Sequence, residues 1–145
     1  MLGTVITILI GILGGLSVGL QGPIAAQMGR RVGSTASSFV VHISGTVFSG
    51  LLLFARGGEN IQNWGSLSWY MLGSGLFGLV LYLTINHTMP RLGAATALAL
   101  IIIGQLTVGL IVDHFGLFDT AIHQVNAWRM AGVALLLAGG YLIMR

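Results

Sequence analysis

Between Arg91 and Asp113 the chain runs for roughly twenty residues without a formal charge, about the length an α-helix needs to cross a ~30 Å hydrocarbon layer. A single helix satisfies its own backbone N–H and C=O groups away from water, so a run of this kind reads as a membrane span. Pro90 and Gly93 punctuate its entry, and Asp113, His114 and a glycine-containing loop mark its exit. Gln105 lies near its middle. Its amide would be costly against lipid and is expected to face other protein or a water-filled cavity.

The whole chain has the same character. Of its 145 residues 55% are hydrophobic and 6% charged, and the mean hydropathy is +0.95, which leaves too little polar surface for a soluble domain. An integral, all-α membrane protein follows. The net charge of +3 rests on six scattered arginines, which make no nucleic-acid footprint. Cysteine is absent, excluding disulfides, thiol chemistry and Cys-based metal sites. The first 29 residues hold no Lys or Arg, so the positive region of a signal peptide is missing and the amino terminus is expected to be a retained helix.

Five spans are expected, at about 2–28, 35–55, 67–88, 93–113 and 127–143, as one domain over 1–145. In the first, Gly11, Gly15 and Gly19 recur every four residues and offer a bare face for helix packing. Pro23 then removes an N–H from the ladder beside Gln21; such a break either lines a cavity or is a simple kink. Span two carries Ser38 and His42, with Ser44 and Thr46. A histidine at that depth is a candidate for substrate contact or proton coupling, against the plainer reading of a neutral imidazole bonded to a neighbouring helix. Trp64, Trp69 and Tyr70 form an interfacial belt before span three. That span has small residues at Gly73, Ser74 and Gly78, then Tyr82, and places Asn86 and His87 at headgroup depth. Span five, with Gly132, Gly139 and Gly140, reads as scaffold or dimer contact.

An odd number of spans puts the termini on opposite sides. Arg30, Arg31, Arg91 and Arg145 then fall on one side and Arg56 and Arg129 on the other, a weak bias compatible with insertion both ways. There is also an internal echo: Arg31-Val32-Gly33-Ser34-Thr35-Ala36 is similar to Arg91-Leu92-Gly93-Ala94-Ala95-Thr96, as two parallel helix hairpins plus a fifth helix would require.

Over essentially its whole length the chain resembles the YdcZ-type family of five-helix bacterial membrane proteins within the drug/metabolite transporter superfamily. The resemblance is carried by Gln21, Arg30 to Ser34, Ser38-Phe39, Pro90 to Thr96, Gly104-Gln105-Leu106, Asp113 to Phe118, and Arg129 with Gly132. Two positions depart from the family pattern: Ala25, where Asn is usual, and His42, where Gly is usual. The resemblance implies a half-transporter in the bacterial inner membrane, pairing, often antiparallel, into a ten-helix unit with a second copy of itself or a paralogous subunit.

Together these readings predict a dimeric secondary transporter for a small polar or zwitterionic metabolite, working by alternating access. Gln21, Ser38, His42, Tyr82 and Gln105 are its candidate substrate contacts, with His42 as the proton-coupling candidate. Glycines 11, 15, 19, 73, 78 and 132 are its packing positions. No cofactor is called for. With Glu59 and Asp119 in loops and Asp113 at a span end, no carboxylate lies at depth, which disfavours a bare cation as substrate. A solute or anion channel, and a non-transporting interaction subunit, are the alternatives. An enzyme is disfavoured, since no nucleophile with a base and no metal-ligand cluster lies at depth.

Overall fold

The computed structural model describes residues 2–145, which are helical or looped with no strand among them. Six α-helices follow in order: α1 Leu2–Val32, α2 Ser34–Ala55, α3 Trp69–Leu72, α4 Gly75–Leu92, α5 Ala94–Phe115 and α6 Ala127–Ile143. Four segments are long and apolar enough to cross a membrane: α1, α2, α3 with α4 taken as Trp69–Leu92, and α5; α6 is a shorter apolar helix of 17 residues. The described residues divide into two compact units, one ending at Pro90 and one running Arg91–Arg145.

In the first unit a single glycine joins two long helices. Gly33 has φ 92° and ψ 151°, a conformation that is nearly glycine-specific. Its N–H donates to the carbonyl of Gly29 at 3.0 Å and its own carbonyl accepts from Ser37 N at 2.9 Å, so the chain turns without leaving the joint's backbone groups unpaired. The loop expected at 30–34 is thus one residue long. Pro23 lies inside a continuous α1, so the helix is not broken there. Burial is confined to the ends near the joint: Gly22, Ala25 and Ala26 on α1, Ser37 and Ser38 on α2. All five are small, so the backbones approach closely, and Ser37 Oγ reaches across to donate to the Ala25 carbonyl at 2.8 Å. Further out the apolar side chains of α1, including Leu9, Leu13 and Leu16, are exposed, a surface suited to lipid or to another helix.

After α2 the polar connection carries an exposed Arg56–Glu59 ion pair at 3.2 Å and a 3₁₀ turn at Ile61–Ser66. Span three is not one helix. Gly73 and Ser74 separate α3 from α4 through tightened i→i+3 bonds, Leu76 N to Gly73 O at 3.0 Å and Phe77 N to Ser74 O at 3.1 Å. Trp64 and Trp69 are exposed near this end, as interfacial anchors would be.

The second joint repeats the first sixty residues later. α4 continues past Pro90 to Leu92, and the break falls at Gly93, with φ 80°, ψ 161° and its carbonyl accepting from Ala97 N at 3.1 Å. The entry to span four is therefore made by Gly93 and not by Pro90. Burial repeats with the same offset, Gly22, Ala25 and Ala26 on α1 answering to Tyr82, Ile85 and Asn86 on α4, and Ser37 to Ala97. In the second unit α5 ends at Gly116 in the left-handed conformation, φ 61°. Asn126 caps α6 by accepting from Arg129 N at 2.9 Å, and Gly140 lets α6 close onto Ile103 of α5.

Candidate functional site

Polar side chains gather where α4 meets α1 and α2. His42 Nδ1 lies 2.7 Å from the Ser38 carbonyl, and since a carbonyl only accepts, the neutral ring carries its proton on Nδ1 and leaves the Nε2 lone pair toward α4. The α4 backbone comes close there because residue 78 is glycine: a Cβ on Gly78 would sit 2.8 Å from His42 Nε2. Tyr82, one turn on, packs edge-on against the imidazole with centroids 5.5 Å apart and planes at 81°. Ser38 is fully buried, Tyr82 buried and His42 half-buried. His42, Ser38, Gly75 and Leu79 line an open groove of about 330 Å³.

The structure thus brings together three of the residues expected to form the site, Ser38, His42 and Tyr82. Gln21 lies in the same unit on a different groove, of about 460 Å³, with Ser17, Ala25 and Ser44. Gln105 lies in the second unit, on a groove of about 480 Å³ between α5 and α6. Of the packing glycines, Gly78 meets His42 and Gly73 meets only carbonyls of its own turn, while a Cβ on Gly11, Gly15, Gly19 or Gly132 would find nothing within 4 Å in the single chain.

Asn86 is a residue the sequence did not single out. It is 7% exposed, and its Nδ2 donates to the Ser34 carbonyl at 3.3 Å, tying α4 to the first residue of α2. Its Oδ1 rests against Gly29, one turn before the first joint, and has no hydrogen-bond partner among the described residues. The sixty-residue echo was the signal: carried back from the joint it sets Asn86 opposite the buried Ala26.

A second unforeseen feature closes the α5/α6 groove. Asp113 Oδ2 pairs with Arg129 Nη2 at 3.1 Å, both about one-third exposed. Arg129 Nη1 also donates to the His123 carbonyl at 3.0 Å, and His123 N donates to the Asp113 carbonyl at 2.8 Å, so the pair staples the connecting loop to both helices. Gln105, Gly109 and Asp113 are spaced by four and share one face of α5, which lines the groove from its middle to its charged end.

Long apolar helices with polar groups gathered at their junctions define a multi-pass membrane protein. The chain belongs to the DMT_YdcZ family, described as "Putative inner membrane exporter, YdcZ", whose model matches residues 6–142. That places it in the bacterial inner membrane, in a family of exporters and not of enzymes. Nothing among curated proteins or solved structures matches it.

Proposed function

We propose that the chain is one half of a two-fold antiparallel homodimer that carries a small polar or zwitterionic metabolite across the inner membrane by alternating access. The observation that supports this most is the Ser38–His42–Tyr82 cluster, polar groups held where α2 meets α4, with Ser38 and His42 bordering an open groove. Gln21 and Gln105 border the other grooves and contribute further amide contacts. In an antiparallel pair every such group occurs twice, once toward each face, so exchange between two equivalent asymmetric states exposes the set alternately. Lipid covers the outer faces of α1, and the open Gly11, Gly15 and Gly19 face takes the second copy. His42 binds or releases a proton at Nε2; Tyr82 is the titratable group that packs against it.

The test is flux through purified protein in proteoliposomes, using amino acids, polyols and small amides as solutes. A carrier saturates and shows counterflow. Flux that rises without saturation and lacks counterflow identifies a channel, and absence of flux with co-purification of a second protein identifies an interaction subunit.

A further inference from the structure

We infer that the groove between α5 and α6 binds a zwitterion with an apolar body, of the amino-acid type, its two charges seated on Asp113 and Arg129. This deepens the carrier reading by naming a substrate class for the Gln105 groove, and rests on that reading only in calling the ligand a substrate.

The charged end comes first. Asp113 and Arg129 touch through one oxygen and one nitrogen, and each keeps about a third of its side chain accessible. A guanidinium has five N–H donors, two of which are engaged by Asp113 and the His123 carbonyl. A lone cation brought to this end is attracted by Asp113 and repelled by Arg129 at nearly the same distance, and a lone anion meets the converse, so the net field on either is small. A solute bearing an ammonium and a carboxylate on neighbouring atoms lies antiparallel to the ion pair. Both of its attractions are then short and both repulsions run along the diagonals. The end selects dipolar solutes over singly charged ones.

The body of the groove is apolar. From Asp113 to Gln105 is eight residues of helix, about 12 Å at 1.5 Å per residue. Along that length Leu106, Gly109 and Leu110 of α5 face Gly132, Val133 and Leu136 of α6. The room is created by the two glycines, since a Cβ on Gly109 or Gly132 would meet nothing within 4 Å. The volume of about 480 Å³ lies in the range of small-ligand pockets. Gln105 borders the deep part, where an amide rejects an all-hydrocarbon chain and accepts a solute that ends in a polar group or leaves a water there.

The experiment is calorimetric binding to the purified full-length protein, with L-phenylalanine, L-phenylalanine amide and 3-phenylpropionate as probes: zwitterion, cation and anion on one body. Phenylalanine is expected to bind, and each singly charged analogue to bind about tenfold more weakly or worse. At Gly132 a Cβ has open space, so Gly132→Leu places its side chain in the groove and is expected to abolish binding; Asp113→Asn is expected to erase the preference for phenylalanine over 3-phenylpropionate. Equal affinities for the three probes, no binding of phenylalanine by folded protein, or unchanged binding in Gly132→Leu each overturns the inference. So does dissociation of the dimer by Gly132→Leu with binding retained, which makes the groove a contact between copies, or loss of phenylalanine binding on adding phosphatidylethanolamine nanodiscs, which makes it a lipid seat. Phenylalanine binding without flux overturns the carrier reading alone. Saturable exchange of another solute, unchanged in Gly132→Leu, overturns this site alone.

Discussion

Asn86 and Gly29 lie so close that residue 29 has no room for a side chain. A Cβ built on Gly29 would sit 2.7 Å from Asn86 Cγ and nearer still to Oδ1. The short approach aims a Gly29 Cα–H at an acceptor that has no other partner among the described residues, a weak bond of the kind found between closely packed helices. On its other side the same amide holds the start of α2 through Ser34. One side chain therefore positions α4 against both helices at their joint.

Gly29→Ala should destabilise the protein by about 1–3 kcal/mol, the range for overpacking a close contact. Asn86→Ala should cost about 1 kcal/mol through the lost Ser34 bond. In the double variant the amide is no longer there to clash, so the combined cost should fall short of the sum by about 0.5 kcal/mol or more. Equilibrium unfolding in mixed detergent reads all three values, and strict additivity would show that the two residues do not meet.

The joints make a contrasting prediction. At Gly33 and Gly93 a Cβ would find open space, yet φ of 92° and 80° with ψ near the extended range is a region that side chains avoid. Gly33→Ala and Gly93→Ala should each cost about 1–3 kcal/mol from backbone strain alone. Substitution by Asn should not restore stability, because Asn tolerates the left-handed helical region and not this one. Alanine variants as stable as the parent would mean that the joints do not adopt this conformation.

His42 is pinned from two sides, by the Ser38 carbonyl and by the α4 backbone at Gly78. Gly78→Ala should push the ring off, breaking a hydrogen bond worth about 1 kcal/mol. His42→Gln keeps a polar group in place but carries no titratable proton. Solute flux that depends on a pH gradient should lose that dependence in His42→Gln and keep its dependence on solute concentration. Full retention of the pH-gradient dependence would eliminate His42 as the coupling group.

Much of the helical layout was legible because hydropathy reports the solvent, and the bilayer is a uniform one: the run from Leu92 to Val112 can be little other than a span. The joints were legible only as a repeated Arg-x-Gly. Pro90 removes one N–H from the ladder, the donor to the carbonyl four residues back, yet the helix runs on to Leu92 and the chain turns only at Gly93, where φ is 80°. The burial of Asn86 was not legible, because it depends on Gly29, fifty-seven residues away in the chain. The Asp113–Arg129 pair was equally hidden. It forms because Gly116, Phe118 and Asp119 adopt positive φ and fold the connecting loop back, a conformation that no hydropathy pattern encodes.

The central claim, a pair of oppositely inserted copies, is tested most directly by accessibility labelling in intact cells. The chain has no cysteine, so one engineered in the Glu59 loop and one beside Arg31 report without background. With a membrane-impermeant thiol reagent, the account predicts that each site is labelled in part from outside and in full only after the membrane is opened. Complete labelling of one site from outside and none of the other would fix a single orientation and contradict the antiparallel dimer.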